Sequence, residues 1–432
     1  MSKLLFTLIL LLIASECVQA QVHFEKRYAN HPGAEVKALR QTFDGGYIMV
    51  GGDAQEAAII RTDEFGDSLW TKNYTNPGQF AFNLEQCADS GFIVTGYAFY
   101  NGCDAYLRKL NPDGTEAWFQ YYDGSGCEWG QTLKQLPDGG FILAGTEITR
   151  TDSAGNLIWT QATSTGNQAM SMVITSDGNL VYSSTSASTA SGAWLTKMDF
   201  DGNEIWTKHY TDLYFYNNSD NNITETSDGE FILVGRNVSV PSGLIKKVSS
   251  NGTLVWTKNL STETLASTMS VIESDSGGYL ACGFFVDSVG VHAYLHRMDE
   301  SGNPVWDKGY DDASFQSLVQ CKDGGYAAAG YKESSSGKRK FFLIKIGGQY
   351  PLNTFENHET IGLSLVISPI PSSGNIHLED CACFGSAADV YDINGQLIHS
   401  SILAPDMDLS FLKTGLFLLN TICGQARFMI LK

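Results

Sequence analysis

The sequence predicts an all-β chain: a seven-bladed β-propeller with four-stranded blades, its last blade closed by the N-terminal strand, followed by a small C-terminal β-sandwich. Three observations carry this. A short Asp-Gly-rich motif recurs seven times, and a Trp returns at intervals of 41 to 50 residues. The composition also suits short strands and tight turns, with 44 Gly and 12% aromatics but only 17% charged residues in 432. The 47 Asp+Glu outnumber the 28 Lys+Arg, for a net charge of −19. That balance argues against nucleic acid and against an anionic lipid surface, both of which need clustered basic residues.

Residues 1–20 read as a secretory signal peptide. Lys3 precedes the apolar run Leu4 to Ala14, which is too short to span a bilayer and suits a signal h-region. Val18-Gln19-Ala20 predicts cleavage before Gln21. Cys17 suggests a lipoprotein anchor, but Glu16 before it fits such a site poorly. No other stretch is long and apolar enough to cross a membrane, so the mature chain is expected to be soluble and exported.

Residues 21–348 hold the repeat. Its first motif runs DGGYIMVG from Asp44, DSGFIVTG from Asp89, DGGFILAG from Asp138, DGNLVYSS from Asp177, DGEFILVG from Asp228, SGGYLACG from Ser276 and DGGYAAAG from Asp323. The second reads apolar-x-Lys/Arg-x-Asp/Asn-x-x-Gly-x-x-x-Trp-x-Lys, as in IIRTDEFGDSLWTK (59–72) and LTKMDFDGNEIWTK (195–208). It supplies Trp70, Trp118, Trp159, Trp206, Trp256 and Trp306. Both motifs carry the Gly that tight hairpins demand. Between the turns lie short alternating strands, which in the second unit are Leu69–Tyr74, Phe82–Cys87, Phe92–Tyr97 and Ala105–Leu110. Four strands per repeat, seven times over, is a propeller pattern.

VHFEKRY (22–28) matches the Trp-bearing strand with Phe24 in the Trp slot, and the seventh unit stops before any such strand. The first strand is therefore expected to complete the last blade and remove its open edge. In the third unit TEITRTDSAG follows Gly145 directly, so that unit is expected to be short on one face or to lack a proper outer hairpin.

The Asp-x-x-Gly-x-x-x-Trp spacing resembles the tryptophan-docking motif of quinoprotein-like and WD40-like propellers, over residues 22–348. The resemblance implies a structural, inter-blade role for the Trp side chains.

Strand alternation puts both Gly turns on one face and the variable loops on the other, where binding is expected. The loops after the Trp-bearing strands are YYDGSGCEWG (121–130), YTDLYFYNNSDNN (210–222), GYDDASF (309–315) and NPGQFAF (76–82). Tyr121, Tyr122, Trp129, Tyr214 and Tyr216 are candidates to stack on a sugar or grip a peptide. Asp212, Asp311 and Asp312 are candidates for hydrogen bonds to the same ligand, as are Asp123 and Glu128. Cys103 and Cys127 fall in loops of this face on neighbouring units and are a possible disulfide, whereas Cys87, Cys282 and Cys321 suit buried positions. No GxSxG, HExxH or P-loop is present, and His292 and His296 lie four residues apart on a strand, too far for one metal ion. No catalytic residue, metal site or cofactor is assigned.

A polar linker (349–361) leads to residues 362–432, whose strands include LSLVISP (363–369), GNIHLE (374–379) and GLFLLNT (415–421), with an Asn394-Gly395 hairpin signal. VISPIPSSGNIHL (366–378), VYDINGQLI (390–398), MDLSFLKTGLFLLN (407–420) and the final Lys432 resemble the type A sorting domain of the type IX secretion system of Bacteroidota. Pro369-Ile370-Pro371 departs from that family's usual Pro-Asn-Pro, and Cys381, Cys383 and Cys423 are extra. The resemblance implies Sec export, then passage of the outer membrane with the type IX machinery as partner, ending at the cell surface or in the medium. The expected function is an extracellular glycan- or protein-binding module. The alternatives are a secreted propeller enzyme, quinoprotein-like or polysaccharide-active, and an adhesin or scaffold.

Overall fold

The structure is a computed structural model. It describes residues 22–28, 35–52, 56–75, 79–99, 103–123, 126–186, 192–215, 221–240, 242–260, 266–334 and 337–347. Beyond these it describes 366–368, 375–379, 387–392, 397–402, 404, 406–413, 415–421 and 424–430. The leader 1–20, the linker 349–361, the Pro369–Pro371 segment and Cys381, Cys383 and Cys423 lie outside the described residues. The chain divides into two compact units, Met1–Gly348 and Gln349–Lys432.

The first unit is a seven-bladed β-propeller of antiparallel sheets. Blade 1 pairs Glu35–Gln41, Tyr47–Gly52, Ala57–Thr62 and Ser68–Tyr74 in that order. Blades 2 (79–122), 3 (130–162), 4 (168–210) and 6 (267–311) repeat this plan. In blade 5 (213–259) the first strand is split into Leu213–Tyr214 and Ile223–Glu225. Blade 7 joins 313–346 to Val22–Tyr28, which pairs with Arg339–Ile346 as its fourth strand. The N-terminal strand thus completes the last blade.

One detail of the repeat differs from expectation. The Trp-bearing strand does not open its own blade; Ser68–Tyr74 pairs with Ala57–Thr62 as the outermost strand of the blade before. The reason is the Asp-x-x-Gly turn, which is short enough to force a hairpin. Its Asp carboxylate closes that turn. In the third blade Asp152 Oδ1 accepts from the amides of Ala154 and Asn156, and Asp199 does the same for Asp201 and Asn203 in the fourth. The third blade keeps all four strands. Its second and third, Phe141–Gly145 and Glu147–Thr151, are joined by Thr146 alone, so the deletion shortens one face and leaves the outer hairpin intact.

The two repeated motifs meet within each blade. The Asp of the first turn takes the basic residue of the third strand: Asp44 with Arg61, Asp89 with Lys109 at 2.8 Å, Asp138 with Arg150, Asp177 with Lys197 at 2.5 Å, Asp228 with Lys247 at 2.9 Å, Asp323 with Lys345 at 2.8 Å. Blade 6 has Ser276 in the acid's place, and Arg297 bonds its Oγ at 3.1 Å. These pairs are half-open to water and worth little each, but they fix the turn against the sheet.

Apolar side chains collect at the blade junctions. Seven buried clusters each join two neighbours, and the seventh joins blade 7 (Ala327, Phe341, Leu343) to blade 1 (Val36, Leu39, Met49). The ring is therefore closed by core packing as well as by hydrogen bonds. Each motif Trp lies against one such cluster. Trp70 meets Phe92 edge-on at 6.0 Å, Trp118 meets Phe141 at 6.0 Å, and Phe24 meets Tyr47 at 6.0 Å, filling the Trp slot as its position predicts. Such aromatic pairs add about 0.5–1.5 kcal/mol beyond the area they bury.

The second unit has two antiparallel sheets among its described residues. One orders Val366–Ser368, Asn375–Glu379 and Asp406–Asp408; the other orders Leu397–Ile402, Ala387–Asp392, Gly415–Thr421 and Gly424–Ile430. Ala388, Val390, Met407 and Leu419 are buried on its strands, and Leu409 and Leu412 in the turn that follows Asp406–Asp408.

Candidate functional site

Antiparallel order puts the two Gly turns of every blade at one end of the sheets. The links between second and third strands, and the links between blades, lie at the other. The first end is uniform and locked by the Asp–Lys/Arg pairs. The second varies, from the seven residues 123–129 between blades 2 and 3 to the single Thr146 within blade 3.

There the single-residue link at Thr146 leaves the third blade low, and a cleft of about 270 Å3 opens against blade 2. Tyr121, Tyr122 and Trp129 line it together with the carboxylates of Asp123, Glu128 and Glu147. Among the described residues that line it there is no Lys, Arg or His.

The segment carrying Glu128 and Trp129 is tied to both blades. Cys103, in the loop of blade 2, is joined by a disulfide to Cys127, with Cα atoms 4.6 Å apart. The Glu128 amide donates to the Cys103 carbonyl at 2.7 Å, and the Trp129 amide donates to Thr146 Oγ1 at 3.2 Å. The Trp129 ring stacks on Tyr97 at 5.3 Å, and Tyr97 stacks on Phe80 at 4.6 Å. Its Nε1 approaches both sulfurs, at 3.1 and 2.8 Å. This gives a rigid aromatic wall. Glu128 is only 7% exposed; its Oε1 accepts from the Gly126 amide at 2.6 Å, while its buried Oε2 has no hydrogen-bond partner.

The remaining candidates are dispersed over other junctions. At blades 4–5, Asp212 is held by the buried Lys246 at 2.7 Å, so its carboxylate is committed to the fold. Tyr214 belongs to the first strand of blade 5 and is 9% exposed, with Phe215 fully buried beside it. Both are packing residues rather than loop residues, because the apolar register of Leu213–Tyr214 continues the sheet. Tyr216 lies outside the described residues. At blades 6–7, the Asp311 carboxylate pairs with the His292 ring at Nδ1, 2.9 Å away, and Asp312 is the one-residue link, held at φ 55°. Tyr310 and Phe315 flank that link and are buried.

Tyr122, although it lines the cleft, also clasps the blades: its hydroxyl donates to the Gly155 carbonyl of the third blade's Asp-x-x-Gly turn at 2.8 Å. Tyr28 and Tyr210 do the same to Gly66 and Gly252. All three stand four residues after the Trp slot, a spacing visible in the sequence. Burial pushes the Tyr122 hydroxyl above its usual range.

No family model and no curated protein matches the sequence. Solved structures do. The chain is similar to streptogramin B lyase at 11% identity, with 76% of this chain and 98% of that one covered and a TM-score of 0.51. It is similar to the Pan2 WD40 domain of Neurospora crassa at 10% identity, covering 75% and 95%, with a TM-score of 0.50. BamB from Moraxella catarrhalis matches at 12% identity over 75% and 99%, with a TM-score of 0.44. The likeness is one of fold.

Residues absent from the sequence-based set are Tyr97, Phe80 and Glu147. Phe80 sits in the aromatic run 76–82 already marked as a variable loop; Tyr97 reads as a strand residue, and Glu147 carries no local signal. His292 lies between Asp311 and Asp287, at 2.9 and 3.1 Å; burial opposes its charged form, but its hydrogen bonds to the Asp311 and Asp287 carboxylates hold its pKa above the ordinary value. His296 pairs with Asp307 instead, so the two His side chains serve separate partners. Among the described residues no group of three or more His, Cys, Asp or Glu is arranged to hold a metal ion, and no helix is long and apolar enough to cross a membrane.

Proposed function

We propose that the chain is an exported binding module, presented at the cell surface or secreted, whose glycan or protein ligand seats on the variable-loop face of the propeller. The cleft between blades 2 and 3 carries this reading: among the described residues it alone joins three of the candidate aromatics to carboxylates on a scaffold pinned by a disulfide and two backbone hydrogen bonds. A rigid aromatic wall with a few convergent polar groups is the usual build of a small-ligand site.

A glycan array and a peptide array probed with the whole chain test it. Binding that is lost in Trp129→Ala, with the fold kept, supports the cleft. Undiminished binding by that variant moves the site elsewhere.

Delivery is proposed to run through a signal peptide at 1–20 and a type IX sorting domain at 362–432. Deletion of 362–432 should abolish surface display in a cell with that machinery; unchanged export would refute the sorting role.

A second reading, a polysaccharide-active enzyme, is favoured by the three carboxylates in one cleft, since glycoside hydrolysis uses a carboxyl pair. Release of new reducing ends from a bound polysaccharide would establish it.

A further inference from the structure

We infer that the blade 2–3 cleft recognises a sugar unit bearing a free amino group, with its ammonium seated on Glu128. This rests on the reading of the cleft as the ligand site and narrows it to one chemistry.

Glu128 is the first reason. Its carboxylate is buried, Oε1 takes the Gly126 amide, and Oε2 is left without a donor. A buried charged oxygen is costly unless something supplies a proton or a positive charge. Among the described residues the donors of the lining do not reach Oε2, and no basic side chain lines the cleft to supply the charge. Glu147 Oε2 has a donor, Thr160 Oγ1 at 3.2 Å, which leaves Glu128 as the oxygen in need. A ligand cation completes the set through a charge-assisted hydrogen bond.

The other lining groups decide between kinds of cation. Gln120, Asn156, Thr146 and Thr149 offer neutral donors and acceptors around the same space. A lysine side chain brings three donors on an apolar stem and leaves these groups unmatched. An amino sugar carries hydroxyls and an ammonium on one ring, with an apolar face for the Tyr121 and Trp129 rings. The cleft, at about 270 Å3, is just below the usual range for drug-sized ligands and suits about one sugar ring. The net charge of −19 favours the approach of a polycationic chain over a neutral one.

The test is calorimetric titration of the whole chain with three probes: a glucosamine tetramer, its fully N-acetylated counterpart, and Nα-acetyl-lysine amide. The free-amine tetramer should bind about tenfold or more tightly than the acetylated one. Glu128→Gln should erase that preference while Trp129→Ala weakens both sugars. Should Glu128→Gln fail to fold, as judged by circular dichroism, the wild-type ratio between the two tetramers decides alone. Equal affinity for both tetramers overturns the ammonium and leaves the cleft as a glycan site. Binding of the lysine amide but of neither sugar also overturns it, in favour of a protein ligand. Binding of none of the three overturns this inference and leaves the reading beneath it to the glycan and peptide arrays.

Discussion

The Trp70 indole of blade 1 lies directly over Gly114 of blade 2: a Cβ on Gly114 would stand 3.1 Å from the ring. Phe24 meets Gly66, Trp118 meets Gly155, Trp206 meets Gly252 and Trp256 meets Gly302 in the same way. The Gly of these five turns therefore serves two ends, a left-handed turn in its own blade and a seat for its neighbour's ring, whereas Gly202 of blade 4 faces the Gln161 side chain instead.

Gly114→Ala should separate these two roles when compared with Gly178→Ala. Both residues have φ 78°, but nothing stands within 4 Å of a Cβ on Gly178. Gly178→Ala should cost about 1 kcal/mol for the backbone alone, and Gly114→Ala about 1–3 kcal/mol more, because a well-packed core resists added volume. Urea melts of the two variants give the difference. Equal losses would mean that the indole moves aside freely.

Asp212→Ala should destabilise the chain by about 3 kcal/mol. It strips the buried Lys246 ammonium of its carboxylate partner, leaving Thr257 Oγ1 at 3.2 Å. Lys246→Met in the same background should recover much of the loss, since it removes the orphaned charge. A ligand-binding Asp212 would instead show normal stability and reduced binding.

Acid should loosen the uniform face first. The hydrogen bond from Lys197, then that from Thr175, draws the Asp177 carboxyl down to about 2 from 3.8. A depressed folded pKa contributes stability that is present above about 4 and lost as the pH falls through about 2. Asp177→Asn should flatten the stability profile between about pH 4 and 2 and change nothing at pH 7 in its slope. Stability curves at stepped pH check this, and an unchanged acid limb would discard the pair as a contributor.

The thiols of Cys87, Cys282 and Cys321 are buried. Burial pushes Cys87 up to about 12 and Cys321 up to about 11. These three should resist a thiol reagent in the native protein and react after denaturation, because the thiolate is the reactive form. Labelling followed by peptide mapping reads each site; rapid native labelling at any of the three would show that the blade junctions open.

Much of the ring was legible because every blade solves the same problem with the same residues. The DGG and Asp-x-x-Gly steps announce their turns, and Phe24 declares itself by standing where Trp70 stands in the next repeat. What misled was the frame: the Trp strand carries strong signals on both sides, and only the hairpin geometry of residues 63–67 assigns it to the blade before. The site was legible in part. Tyr121, Trp129 and Glu128 fall in one loop whose composition is unusual, so they stand out together. Tyr214 looked the same in sequence, yet its side chain is packed inside blade 5. Aromatics near a turn carry no local mark of which way they face. The unmet Oε2 of Glu128 is a property of tertiary placement and no pattern records it.

The strand Val22–Tyr28 is the first of the propeller to be made and pairs with Arg339–Ile346, the last. Time, therefore, is built into this architecture. Until the final blade emerges, the earliest strand has no lasting neighbour, and closing so long a loop is slow. Throughout that interval both edges stand open to a strand from another molecule. A chain whose synthesis or translocation stalls short of residue 346 is left holding a latch with no catch, and the surveillance of the cell meets it in that state.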